Sequence, residues 1–136
     1  MNVPALVDAS DWPLVTVVGE GCQTAEDARV ALAELTALLR RADANGERVG
    51  LVFDTDRLDR AATGVVRRWA ADNAATLAAV VAGAASVVAA PAVAAGRALI
   101  EQEAAMYPFP AWCAGSADEC RAWVRGMLAD GAQGDD

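Results

Sequence analysis

The sequence predicts an α/β domain with a mostly parallel β-sheet, an N-terminal antiparallel hairpin and about four helices, in the order ββαβαβαβα. Three observations carry that expectation. Short β-branched runs alternate with stretches of helical periodicity along the chain. The run RVGLVFD at 48–54 is continuously apolar in its middle, as a strand covered on both faces must be. Capping signals stand where helices would open, at Thr24 and Ser116, and Asn45-Gly46 stands where the first would close. With 136 residues the chain is of single-domain size, so one domain over 1–130 and a flexible acidic tail at 131–136 are expected.

Residues 3–9 and 13–19 are β-branched runs split by Ser10-Asp11-Trp12, which reads as a hairpin. Thr24 caps the first helix, with Asp27 placed to answer it three residues later. That helix sets Ala28, Leu32, Leu35 and Leu39 on one face, and Glu26, Arg29, Glu34 and Arg40 largely elsewhere. After the central strand at 48–54, a polar loop over 55–60 leads into a second helix. Its inward row is Val66, Trp69, Ala70, Asn73 and Leu77, while Arg67, Arg68, Ala71 and Asp72 face out. A further strand is expected around 84–89. Pro91 then opens a third helix reaching about residue 106 and carrying Val93, Leu99 and Ile100. Pro108 and Pro110 leave room only for a short edge strand over 107–114. Ser116-Ala117-Asp118-Glu119 is a capping box, and the last helix turns Cys120, Trp123, Val124 and Met127 inward.

Composition narrows the chemistry. All 11 basic residues are arginine, histidine is absent, and 19 Asp and Glu bring the net charge to -8. Without His there is no Ser-His-Asp triad, Cys-His pair or imidazole ligand. Without Lys there is no Schiff base or Walker-type phosphate lysine. An acidic chain is also a poor partner for nucleic acid, whose affinity rests on phosphate neutralisation. The 24 uncharged residues at 73–96 exceed the ~18 that flag a membrane span. They are mostly Ala and Gly, however, with Leu77 and five valines as the larger aliphatics, and Pro91 interrupts them. A helix end, a strand and a new helix start are expected there, with no transmembrane segment. Cys22, Cys113 and Cys120 are odd in number and form no C-x-x-C, which favours free thiols in a reducing compartment and a cytoplasmic location. The N-terminus lacks a basic n-region and is not read as a secretory signal.

Several short motifs carry a resemblance: Trp12-Pro13-Leu14-Val15, Leu51-Val52-Phe53-Asp54, Gly83-Ala84-Ala85, Tyr107-Pro108-Phe109-Pro110 and ADECRAWVRGML at 117–128. With the element order, they resemble the SpoIIAA-like branch of the STAS superfamily (sulfate transporter and anti-sigma factor antagonist domains), especially small stand-alone bacterial STAS-like proteins. The likeness spans roughly residues 10–129 and speaks to fold more than to function. In anti-sigma antagonist members, an Asp-Ser-Ser-Gly-like segment after the central strand is phosphorylated at a helix N-terminus. The nearest matches here are Asp54-Thr55 and, with an insertion, Asp59 to Thr63-Gly64, so the resemblance implies Thr55 or Thr63 as phosphoacceptor. Asp54, Asp56 and Asp59 would repel that charge.

Two clusters compete with plainer roles. Asp54, Asp56 and Asp59 crowd one loop at the C-terminal sheet edge, and hard cations take carboxylate oxygens. The spacing lacks an EF-hand's glycine and distal glutamate, so helix capping is the favoured reading and no metal is expected. Arg57, Arg60, Arg67 and Arg68 are the densest positive group and suit bidentate grip of a carboxylate or phosphate. Local pairing opposes this, Arg68 with Asp72 and Arg57 and Arg60 with Asp56 and Asp59, although Arg67 has no acid three or four residues away. The four tryptophans read as core aromatics. Cys120, in the first turn of a helix, is a candidate for a lowered pKa, with a buried thiol as the plainer reading.

The leading expectation is a non-catalytic STAS-like regulatory module that binds a protein partner. The docking residues would be Asp54, Thr55, Asp56, Arg57, Asp59, Arg60, Thr63, Arg67 and Arg68, on the loop and the outer face of the second helix. The alternative is a small-molecule or lipid-binding pocket protein with an apolar cavity lined by Val93, Leu99 and Met106. An enzyme using aspartates alone ranks last. No catalytic residue or cofactor is assigned, and a homodimer is compatible with the sequence.

Overall fold

The apolar run at 48–54 lies at the centre of a five-stranded sheet in the computed structural model, which describes residues 3–134. Strands β1 (Val3–Asp11), β2 (Leu14–Gln23), β3 (Val49–Leu58), β4 (Val81–Val87) and β5 (Ala111–Ala114) stand side by side in chain order. β1 pairs antiparallel with β2, and each later pair is parallel. The helices are α1 (Ala25–Ala44), α2 (Arg60–Asp72), α3 (Ala74–Val80), α4 (Val93–Gln102) and α5 (Ala117–Gly134). The chain is therefore α/β, with a mixed, mostly parallel sheet and an antiparallel N-terminal hairpin. Among the described residues, no helix is long and apolar enough to cross a membrane. The uncharged stretch 73–96 becomes α3, β4, a 3₁₀ turn at Ala90–Ala92 and the start of α4.

Side-chain alternation splits the core in two. Val15, Val17, Leu51 and Ala84 point toward α1 and α3, where they meet Leu32, Leu35, Leu39 and Leu77. Leu14, Val52, Ala85 and Ala114 point the other way, onto Cys120 and Val124 of α5. Gly50 and Gly83, neighbours across β3 and β4, let α5 settle onto the sheet. A Cβ on Gly83 would stand 2.9 Å from Met127 Cγ. The first helix is bounded as expected. The Thr24 hydroxyl accepts from Asp27 N–H at 3.2 Å, and the Asp27 carboxylate accepts from Thr24 N–H at 3.0 Å. Gly46, at φ 69°, takes the left-handed conformation that ends the helix.

Other boundaries moved. The loop expected over 55–60 is largely strand, because β3 runs on to Leu58 against Cys22 and Gln23. A register shift between Gly19 and Cys22, with Gly21 at φ 79°, carries β2 past the expected end at residue 19 to Gln23. The second helix divides at Asn73, whose backbone leaves helical geometry at φ -111° and ψ 17°. Its side-chain amide donates to Trp69 O at 2.9 Å. The fourth strand starts three residues earlier than expected, at Val81. The third predicted helix is broken into the 3₁₀ turn at Ala90–Ala92, α4 and a second 3₁₀ turn at Ala104–Met106. α5 runs through Gly134, into the stretch 131–136 expected as tail; Asp135 and Asp136 lie outside the described residues.

Candidate functional site

The arginine cluster is organised by α2. Asp59 caps this helix, its Oδ1 accepting from Ala62 N–H at 2.7 Å. Thr63 Oγ1 donates to Asp59 O at 3.1 Å, so this hydroxyl is already engaged. Replacing Asp59 with alanine should cost about 1 kcal/mol of stability. Guanidinium denaturation measures it, and an unchanged midpoint would discount the cap.

The inner side of α2 leans on the core through Val65, Val66, Trp69 and Ala70. Trp69 Nε1 donates to Thr36 Oγ1 at 2.7 Å, and that hydroxyl donates to Leu32 O at 2.7 Å, tying α2 to α1. With that side committed, the 3.6-residue period turns Arg60, Gly64, Arg67, Arg68 and Ala71 outward, and all five are exposed. Arg57, also exposed, is the penultimate residue of β3, shortly before the helix. The ion pairs among the described residues are Arg29–Glu26, Arg121–Asp118 and Arg125–Asp11. The local pairing expected for Arg68 with Asp72 is not among them. Four guanidinium groups thus face solvent on a chain of net charge -8, ready for bidentate contacts.

The remaining candidates disperse. Alternation along β3 places Asp54 on the α5 side, away from α2, whereas Thr55 shares the α2 side with Phe53. The side chain of Asp56 lies outside the described residues. Among the described residues, no three carboxylates or thiols converge as metal ligands. Cys120 is fully buried, as the plainer of its two readings has it, and burial pushes its thiol up rather than down.

A second feature lies beyond β4, and the sequence reading missed it. α4 buries none of its residues fully. Leu99 is 51% exposed and Met106 79% exposed, so the cavity expected between Val93, Leu99 and Met106 is not formed. An open pocket of about 240 Å³ sits instead against β5, lined by Ile100, Ala104, Phe109, Pro110 and Trp112, with Glu101 and Tyr107 as its polar groups. Tyr107 OH donates to Glu103 Oε2 at 3.4 Å. Burial first, then the Glu103 charge, raises the phenol pKa, while Arg67 opposes the shift. In sequence residues 107–114 read only as a short edge strand, which forms as β5 at Ala111–Ala114. The missed signal is the spacing of Ile100, Ala104 and Tyr107, which puts a second apolar row beside Leu99 and Met106.

Arg97 closes this end of the sheet. Pro110 and Ala114 carbonyls accept from β4 and its continuation, so the Cys113 carbonyl between them faces away from β4. Arg97 Nε donates to that carbonyl at 3.1 Å. Its guanidinium lies 4.3 Å from the centre of the Trp112 ring, and Trp112 stacks on Trp123 of α5 at 6.1 Å and 14°. An edge strand is blunted by one arginine.

Compared with known proteins, the chain matches no family model, no curated protein and no solved structure.

Proposed function

We propose that this chain is a non-catalytic, STAS-like interaction module that docks an acidic segment of a protein partner on the outer face of α2. The observation that carries the reading is the set of exposed arginines, Arg57, Arg60, Arg67 and Arg68, without ion-pair partners among the described residues of an acidic protein. Such groups are solvent-exposed in the free chain and lose little on meeting a carboxylate at a partly wet surface. Local positive charge on a negative body also speeds encounter with an acidic patch and fixes its orientation. The residue inventory supports a role without covalent chemistry, since neither imidazole nor amine side chains are present. Thr63 supports a structural part better than a phosphoswitch, its hydroxyl being spent on Asp59 O.

Charge reversal tests this. A pull-down from the native host with the paired change Arg67→Glu and Arg68→Glu should lose the partner that wild type captures, a drop of tenfold or more. Retention of every captured protein would sink the α2 reading. A second reading, a carrier of a small apolar ligand, is favoured by one observation, the pocket against β5. Its 240 Å³ falls short of the roughly 300–1,000 Å³ usual for such sites.

A further inference from the structure

Three aromatic residues and a carboxylate meet in the pocket against β5. Tyr107, Phe109 and Trp112 line it, and Glu101 lies in the same wall. The Tyr107 and Phe109 rings are neighbours, their centres 6.4 Å apart and their planes tilted by 35°. A second carboxylate is close by, since Glu103 Oε2 accepts from Tyr107 OH at 3.4 Å. Neither Glu101 nor Glu103 enters an ion pair among the described residues. None of the lining residues is basic.

We infer that this pocket binds a small alkylated ammonium ion, its methyl groups against Tyr107 and Phe109 and its charge beside Glu101. Rings and carboxylate make the same demand of a ligand. An aromatic face is negative and attracts a cation, and Trp112 already holds the Arg97 guanidinium 4.3 Å from its centre. Arg97 itself is tied to the Cys113 carbonyl and is not part of the pocket wall. At the Tyr107 phenol the Glu103 charge outweighs the opposing charge of Arg67. A bare metal ion or ammonium would have to exchange its hydration shell for oxygen ligands, which this wall supplies sparsely. An alkylated ammonium carries its charge under methyl groups, so aromatic walls can replace its water. The pocket volume, about 240 Å³, lies below the roughly 300–1,000 Å³ of sites for larger ligands and suits a compact ion. No residue of α2 lines this site, so it stands independently of the docking reading.

The test titrates the full chain with choline as the probe, followed by NMR of the ligand methyl protons and of the protein amides. Ring currents should move the methyl resonance upfield, and the largest amide shifts should fall within residues 100–112. The uncharged tert-butyl analogue of choline, which has the same shape, should bind at least about tenfold more weakly. Glu101 is exposed, so Glu101→Gln leaves the fold intact and should weaken choline about threefold. Phe109→Leu, which keeps apolar bulk and removes the ring, should weaken it about fivefold. Phe109 also packs on the core, and if that variant unfolds, Glu101→Gln and the neutral analogue still decide. Equal affinity for choline and its neutral analogue would reduce the site to an apolar cleft and overturn the inference. Choline binding undiminished in both variants would place the ion elsewhere, with the same consequence. Flotation with phosphatidylcholine vesicles without binding of free choline would assign the headgroup to a membrane and overturn the free ion. No perturbation by choline at all overturns the site.

Discussion

An alanine at Gly50 is expected to destabilise the fold by about 2–3 kcal/mol. Its Cβ would overlap Val124 Cγ1 and stand 3.1 Å from Leu128 Cδ1, both on α5. Val124 is fully buried and β-branched on a helix, where one χ1 rotamer dominates, so it has no room to swing aside. Alanine restricts the unfolded chain and returns only about 0.4–1 kcal/mol on that account. The clash wins. Val124→Ala alone should cost about 2 kcal/mol through lost methyl burial and the cavity it leaves. The double variant should then be at least about 1 kcal/mol more stable than the sum of the two changes, because the second removes the obstacle to the first. Guanidinium denaturation of the four proteins closes the cycle. An unperturbed midpoint for Gly50→Ala would mean that α5 does not approach β3 this closely.

Trp69→Ala is expected to cost about 3 kcal/mol, lowering the melting temperature by about 10 °C. Ala62 is the one α2 residue buried in full, so the helix depends on its half-buried positions, and Trp69 is the largest of them. The truncation removes the indole from the core and its 2.7 Å hydrogen bond to Thr36. Thr36→Val isolates that bond and should cost about 1 kcal/mol. Hydrogen exchange gives the spatial readout. Amides of α2 should exchange faster in Trp69→Ala, while those of β3 and α1 change little at matched stability. Uniform acceleration would instead show that α2 opens only with the whole domain. The same variant bears on function, since a loosened α2 no longer holds Arg60, Arg67 and Arg68 on one rigid face.

Particular residues show why some features are legible in one dimension and others are not. Thr24 with Asp27, and Asn45 with Gly46, bound α1 because capping is settled within a few residues of backbone. The inward row of α1, Leu32, Leu35 and Leu39, follows from the 3.6 period and is buried as read. The continuation of β3 through Leu58 depends on Cys22 and Gln23 arriving alongside it from another strand, past a bulge. Arg57 is therefore strand, not loop. Asn73 divides a continuous helical pattern: its N–H still donates to Trp69 O and its side-chain amide adds a second donor there, a local arrangement that hydrophobic periodicity does not encode. The arginine face was visible as a composition of residues, but its freedom from ion pairs among the described residues was not. Arg68 and Asp72 stand at pairing distance along a helix and still do not pair. The pocket was invisible, since it needs α4 to sit shallowly while Phe109 and Trp112 come in from the following segment.

By itself the sequence determined the α/β class, the order of elements, the helix caps, the two-sided burial of the central strand and the chemistries that a chain without His or Lys lacks. All of these are set by neighbours in the chain or by residue type, and they need no knowledge of what packs on what. Tertiary structure alone decided that Gly50 and Gly83 seat α5, that Asp54 and Thr55 part to opposite faces, that Arg97 covers the outward carbonyl of Cys113 on β5, and that an open pocket forms against β5. Those outcomes depend on distances between segments far apart in the chain, set by close packing of particular side chains rather than by any periodic signal.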